Sequence, residues 1–255
     1  MKKKILIIIA AAVVIVAAVV TTILLVNNSN KTKGIGSSLT KISSDSTLTD
    51  ENNELKIGTY NINNITSFED IKKVCENINR YSLDVVCFQE LNYDKNDFTL
   101  EKIAKEAGFD YYRFFFESGS KSKGGSGIGI ISKYALTQSD SVALTKAASK
   151  TSNSDIKILS WVTLDFNGTP VEVYTSQLES TNATLRTAQI KEIDSKLSGK
   201  TNAVFAGDLQ LGSFDEISGL NNITFANTAQ QKFRTFYSED KDAFYSLDNI
   251  GITSD

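Results

Sequence analysis

Four apolar runs in this chain each finish on a polar side chain, and that repetition restricts the folds open to it. Ala203-Val204-Phe205-Ala206-Gly207 leads to Asp208, and Val85-Val86-Cys87-Phe88-Gln89 leads to Glu90. Ile57-Gly58-Thr59-Tyr60 leads to Asn61, and Val171-Glu172-Val173-Tyr174-Thr175-Ser176 to Gln177. Apolar strands seldom end in a charge unless something nearby uses it. Four strands that carry polar groups at their carboxyl ends therefore predict sheets whose strand ends meet at one site.

Strand and helix signals alternate from Leu55 onward. Ser67–Tyr81 reads as a helix, with Ile71, Val74, Cys75 and Ile78 spaced 0, 3, 4 and 7 along one face. Thr99–Ala107 reads as a second helix that stops at Gly108. Asn182 is placed to cap a third, through Leu197, with Arg186, Gln189, Ile190 and Ile193 on its core-facing stripe. Strands are predicted at Leu55–Ile62, Asp84–Glu90, Asp110–Glu117, Gly127–Ser132, Gln138–Leu144, Ile156–Phe166, Thr169–Gln177, Ala203–Asp208, Ile223–Asn227, Phe233–Tyr237 and Leu247–Thr253, with a polar loop at Ser118–Ser126. Asn167-Gly168 is a strong hairpin signal. Mixed βα units and antiparallel hairpins favour two packed sheets flanked by helices over a single parallel sheet.

The 255 residues are 41% hydrophobic with one proline, so a substantial core is available and disorder is disfavoured. Histidine is absent, which removes the usual proton carrier at neutral pH. Cys75 and Cys87 sit on a predicted helix and the strand after it, on apolar faces expected to pack together. A disulfide and two buried thiols both remain open, while a zinc site lacks its other ligands.

Residues 1–26 form a unit of their own. Lys2, Lys3 and Lys4 precede an apolar run of 22 residues from Ile5 to Val26. As a helix it would reach about 33 Å, enough for a bilayer core of roughly 30 Å. The lysines place the amino terminus in the cytoplasm. The run is longer than a signal-peptide core and Leu24-Leu25-Val26-Asn27-Asn28 offers no clear cleavage site, so an uncleaved signal-anchor is expected, with a secreted form as the alternative. Residues 27–54, rich in Asn, Ser, Thr and Lys, read as a flexible tether with an r.m.s. span of about 30 Å. The domain at 55–255 is then expected outside the cell, close to the membrane. Removing residues 1–26 takes away three lysines and no acid, leaving 24 basic against 30 acidic residues, a net charge of −6. Such a domain is a poor non-specific binder of nucleic acid.

The order of motifs resembles the endonuclease/exonuclease/phosphatase superfamily, which includes deoxyribonucleases and sphingomyelinases, over Leu55 to Thr253. Thr59-Tyr60-Asn61-Ile62 is similar to its first-strand motif, and Phe88-Gln89-Glu90 to its metal-binding strand. Gly124-Gly125-Ser126-Gly127-Ile128-Gly129-Ile130-Ile131-Ser132 is similar to its glycine-rich central strand, and Arg186-Thr187-Ala188-Gln189 to its Arg-x-x-Gln helix. Gly207-Asp208 is similar to its Gly-Asp-x-Asn motif, and Leu247-Asp248-Asn249-Ile250 to its late Ile-Asp-x-Ile strand. The resemblance implies an α/β (α+β) fold, a four-layer α/β/β/α sandwich of two mixed sheets. It also implies phosphoester hydrolysis aided by Mg²⁺ or another divalent cation. Glu90 would hold the metal, Asn61 would serve metal or phosphate, and Asp208 would activate the attacking water. Arg186 is carried as a substrate-binding candidate, although with Gln189 it is expected to brace the fold more than to touch substrate. The implied substrate is a nucleic acid, a phospholipid head group or a sugar phosphate, and the protein is expected as a monomer.

Three departures bear on activity. Where the family carries a histidine in Asn-Thr-His-Leu, this chain has Thr175-Ser176-Gln177-Leu178, and Gln177 can bond a phosphate oxygen but carry no proton. Gly-Asp-x-Asn has become Gly207-Asp208-Leu209-Gln210, so Gln210 reaches with a longer side chain. The closing Ser-Asp-His strand has no counterpart before Asp255. A partial reading frame and a lineage that lost catalysis are both open. Impaired hydrolysis is the leading expectation, and a non-catalytic binding module is the alternative.

Overall fold

The computed structural model of the protein describes residues 7–10, 13–19, 40–41, 54–145, 156–238 and 241–253. In chain order its elements are β1 (Ile7–Ala10), β2 (Val13–Val19), β3 (Thr40–Lys41), β4 (Glu54–Asn61), α1 (Phe68–Arg80), β5 (Val85–Tyr93), α2 (Thr99–Ala107), β6 (Tyr111–Ser120) and β7 (Gly124–Ser132). There follow β8 (Leu136–Ala143), β9 (Ile158–Phe166), β10 (Thr169–Thr175), α3 (Ala183–Lys196), β11 (Ala203–Asp208), β12 (Ile223–Phe225), β13 (Phe236–Ser238), β14 (Ala243–Tyr245) and β15 (Asp248–Thr253).

These strands form two large mixed sheets, ordered β1-β2-β4-β5-β7-β6-β3 and β12-β15-β11-β10-β9-β8, with β13–β14 as a separate hairpin. One pair in each large sheet is parallel at its heart, β4 with β5 and β10 with β11. Alternation along each strand sends one set of apolar residues between the sheets, where Ile57, Val85, Cys87 and Ile130 meet Val162, Val173, Val204 and Ile250. The other set faces helices. α1 and α2 cover the first sheet through Ile71, Ile78, Leu100 and Ile103, and α3 covers the second through Ile190 and Ile193. The expected four-layer α/β/β/α sandwich is therefore the fold.

Local chemistry explains the boundaries. Ser67 caps α1 by accepting from the Asp70 N–H, and Asn182 caps α3 by accepting from the Leu185 N–H. Gly108 ends α2 in the left-handed region at φ 76°. Asn167 and Gly168 take φ 52° and 80°, as a two-residue hairpin turn between β9 and β10 requires. The loop expected at 118–126 is shorter than its polarity suggests, because β6 and β7 pair as far as Ser120 and Gly124. Phe236–Ser238 pairs with Ala243–Tyr245 in a hairpin whose second strand the sequence reading did not contain.

Two expectations meet different structure. Within the apolar stretch read as one membrane helix, the described parts Ile7–Ala10 and Val13–Val19 pair with each other as antiparallel strands, and Val13–Val19 runs beside β4. These runs are dense in isoleucine and valine, whose branched side chains suit extended backbone. Among the described residues no helix is long and apolar enough to cross a membrane. Of the tether, Thr40–Lys41 pairs with Tyr111–Tyr112, and its other residues up to Asn53 lie outside the described residues. The two cysteines are free, and the expectation that their faces pack together does not hold. Cys75 packs between α1 and the first sheet, whereas Cys87 faces the second sheet, because neighbouring strand residues point to opposite sides. Burial pushes both thiols up to about 12.

Candidate active site

The parallel pairs set the site, since each brings two strand ends to the same rim. Asn61 and Gln89 are partners at the end of β4 and β5. A bulge between Phe88 and Leu91 interrupts the pairing of β5 with β7, and Glu90 within it takes φ 55°. This departure from regular strand geometry sets Glu90 out of the pleat, toward the rim. Gln89, one residue earlier, points between the sheets, accepting from Thr59 Oγ1 at 3.2 Å and donating to Thr175 Oγ1 at 3.1 Å. That buried row ties the first sheet to the second directly beneath the site.

On the second sheet, Gln177 follows β10 and bridges to Asp208 at the end of β11. The Leu178 N–H donates to the Asp208 carbonyl at 3.0 Å, and the Asp208 N–H to the Ser176 carbonyl at 3.1 Å. Gly207 permits that approach, because a Cβ there would stand 2.5 Å from the Ser176 carbonyl oxygen.

The side chains converge. Asn61 Nδ2 donates to Glu90 Oε1 at 2.8 Å and to Asp208 Oδ2 at 3.0 Å. Gln177 Nε2 donates to Glu90 Oε1 at 2.6 Å and reaches Asp208 Oδ2 at 3.5 Å. Gln210, in the left-handed region at φ 51°, donates from Nε2 to Asp208 Oδ2 at 2.6 Å and from its backbone to Oδ1 at 3.0 Å. One oxygen of Asp208 thus accepts from three side-chain amides. The amides are themselves oriented, Asn61 by the Asn63 N–H on its Oδ1 at 2.9 Å and Gln177 by Lys157 Nζ on its Oε1 at 3.3 Å.

Five of the six residues singled out from the sequence, Asn61, Glu90, Gln177, Asp208 and Gln210, therefore form one cluster. Arg186 stands apart. Its guanidinium pairs with both Glu216 oxygens at 2.7 and 2.9 Å and donates to the Glu179 and Ser180 carbonyls at 2.9 and 3.1 Å. Gln189 bonds the Glu179 N–H and the Thr145 carbonyl. Both brace the segment after Gln177, which is the bracing part of the expectation.

Two clefts flank the cluster, and Glu90 lines both. One, of about 370 Å³, is bounded by Asn61, Glu90, Asp208, Gln210, Phe236 and Asp248. The other, of about 310 Å³, is bounded by Glu90, Glu117, Ser126, Lys157, Gln177 and Glu179. Asp248, Glu117 and Lys157 were not assigned roles from sequence. For Asp248 a signal existed, since it is an acid at the head of an apolar strand, the mirror of the pattern that flagged Asp208.

Burial pushes the Asp208 carboxyl above its ordinary value, against the downward pull of hydrogen bonds from Asn61, Gln210 and Gln177. Asp248 is held well above its ordinary value, first by burial and then by the charge of Asp208. Glu117 is also raised by burial, with Lys157 pulling it down and Glu90 pushing it up.

A divalent cation fits this donor set modestly. Among the described residues no group of three or more His, Cys, Asp or Glu is arranged to hold a metal. Magnesium, however, commonly keeps its waters and takes one or two protein carboxylates. Glu90 offers one such carboxylate, while Asn61 and Gln177 turn their amide nitrogens toward it and their oxygens toward the Asn63 N–H and Lys157 Nζ.

A profile of the Endonuclease/Exonuclease/phosphatase family matches residues 58–209, from β4 to the residue after Asp208. A search of curated proteins finds no match. Among solved structures, D. rerio TDP2 complexed with a single-strand DNA product is 20% identical with TM-score 0.62, covering 78% of this chain and 84% of that one. The mannosyl-6-phosphatase of Bacteroides thetaiotaomicron is 15% identical with TM-score 0.60, covering 78% and 85%. Sphingomyelinase C of Streptomyces griseocarneus is 18% identical with TM-score 0.58, covering 78% and 83%. At these identities the likeness is one of fold.

Proposed function

The chain belongs to the endonuclease/exonuclease/phosphatase family, and we propose that its folded part is a phosphoester hydrolase, tethered to the outer face of a membrane and slowed by a glutamine, Gln177, in place of a proton-carrying histidine. The observation that carries this reading is the convergence of Glu90, Asp208, Asn61, Gln177 and Gln210 at one rim between the sheets. The proteins of similar fold, one complexed with a single-strand DNA product, one a mannosyl-6-phosphatase and one a sphingomyelinase C, share phosphoester chemistry and little else.

A divalent cation held by Glu90 would supply neutralisation of phosphate charge and a lowered pKa for water. The protein's own groups supply the rest. Asp208, fixed by three amides, presents its carboxylate to a water as a base. Gln177, aimed by Lys157, orients that carboxylate and Glu90 without moving a proton. A positioned proton carrier is typically worth about 10²–10⁴ in rate. With Gln177 where that carrier would stand, turnover is expected to be weak. The apolar stretch Ile5–Val26 behind three lysines supports the tether, and tethering favours lipid or extracellular nucleic acid as substrate.

Assaying the full chain with Mg²⁺ against DNA, sphingomyelin and phosphoinositides tests this. Slow hydrolysis that Asp208→Ala abolishes is expected, and fast turnover would overturn the impaired reading. A second reading is favoured by one observation: Asp208 Oδ2 is already capped by three donors, which suits a cleft that only binds. Calorimetry separates the two. Mg²⁺ binding lost in Glu90→Ala supports the hydrolase, and its absence supports a binding module for a phosphate-bearing ligand or protein partner.

A further inference from the structure

A phosphoester entering this rim meets mostly negative charge. Glu90, Glu117 and Glu179 line the 310 Å³ cleft, and Glu90, Asp208 and Asp248 line the 370 Å³ cleft. Lys157 is the sole cation among the described residues that bound either one. An anion settles where positive charge answers its own, and of the protein's own groups there Lys157 supplies it.

The lysine is firmly seated and little engaged by its neighbours. At the entry to β9 its carbonyl accepts the Leu144 N–H at 2.8 Å, and the next carbonyl, of Ile158, accepts from Ser176 Oγ at 2.8 Å. The backbone is thus fastened while the half-buried side chain reaches the cleft. Its hydrogen bond to Gln177 Oε1, at 3.3 Å, exceeds the usual range of about 2.7–3.2 Å. Glu117 Oε1, in the same cleft, is buried with no hydrogen-bond partner, so the ammonium is not bonded to it. An ammonium carries three N–H donors, and one long contact with a neutral amide leaves donors for a ligand. Across that amide lies Glu90, which Gln177 Nε2 reaches at 2.6 Å. Lys157 and Glu90 therefore stand at the two ends of one side-chain amide.

We propose that Lys157 is the phosphate anchor of this site, its ammonium donating to a non-bridging oxygen of the phosphoester and holding that group over Gln177. The inference rests on the reading of this rim as a phosphoester site and names the residue that grips the anion. No proton moves in this role. The ammonium meets charge that is already present in the bound ester and persists through the reaction. Its loss therefore raises KM more than it lowers kcat.

Calorimetry of the full chain with inorganic phosphate tests the grip without requiring turnover. Lys157→Met is expected to weaken phosphate binding about 10–100-fold, and Lys157→Arg to keep it within about threefold of wild type. A lysine that served only to aim Gln177 would cost nothing further in a Gln177→Ala background. The same loss from Lys157→Met is expected in that background, and no loss there overturns the anchor. Phosphate that the wild type fails to bind, or that Lys157→Met binds equally well, overturns it too. Should Lys157→Met fail to fold, reductive methylation of the wild-type chain decides, read by mass spectrometry. Shielding of Lys157 by phosphate supports the anchor, and unaltered labelling overturns it. Hydrolysis of a p-nitrophenyl phosphodiester, measured alongside, keeps the two readings apart. Turnover with phosphate binding indifferent to Lys157 removes the anchor and leaves the hydrolase, whereas Lys157-dependent binding without turnover leaves the anchor and removes the hydrolase.

Discussion

Gln177 is gripped from three directions, by Lys157 on its oxygen and by Glu90 and Asp208 on its nitrogen. A histidine there would meet two acids and gain what the present amide lacks, a proton that moves near neutral pH. Gln177→His is therefore expected to raise Mg²⁺-dependent phosphodiester hydrolysis by about 10–100-fold, read as kcat/KM at pH 7. Asp248 makes a second prediction, on stability. Its folded value lies above the ordinary 3.8, so the folded chain binds more protons than the unfolded one at intermediate pH. Its contribution is whole below 3.8 and is lost as pH climbs through the higher folded value. Asp248→Asn should accordingly flatten the fall in melting temperature between acid and neutral pH. Asp208 was readable from the sequence because an apolar strand ended on it. The pairing of Asp248 with Asp208 was not, because register across β11 and β15 exists only after pairing.

Among the elements, α3 shows how a motif can be legible while its task is decided by packing. Arg186 and Gln189 fell on the predicted core stripe, and both are buried. The periodicity named the face but not the neighbour, which is a short 3-10 turn at Phe214–Ile217. Glu216 of that turn is drawn upward by burial, yet its carboxyl lies below the ordinary value because Arg186, Gly212 and Ser213 donate to it. Truncating one side of so enclosed a pair leaves the other charge unpaired, so Arg186→Met should destabilise the fold by about 3 kcal/mol, measured by urea unfolding. Strand β5 was readable as far as Glu90, and its continuation through a bulge to Tyr93 was not. Bulges arise from the pairing of two strands, and neither sequence alone encodes one. The β13–β14 hairpin was half seen for a related reason, since its strands have only three residues each and show no clear alternation.

At the scale of the molecule, the two sheets and their helices were open to sequence reasoning because burial on two faces leaves a strong apolar pattern. The strands Ile7–Ala10 and Val13–Val19 were not, since a run of isoleucine, valine and alanine satisfies helix and strand templates equally. The sandwich and the site depend on each other, because the row Thr59–Gln89–Thr175 fastens sheet to sheet under the cluster. A cation bound at Glu90 is therefore expected to stabilise the whole fold. At a Mg²⁺ concentration 100 times Kd the gain is about 2.7 kcal/mol, seen as a raised melting temperature that Glu90→Ala abolishes.

Glu90 also works as a party wall, with one chamber on either side of a single carboxylate. An occupant of one chamber repolarises the other, so the two are not independent compartments. A two-headed ligand straddling that wall would bind its second head as an intramolecular event, with avidity exceeding either head alone. On the proposed phosphoester reading, such a ligand would set a phosphate in one room and its substituent next door.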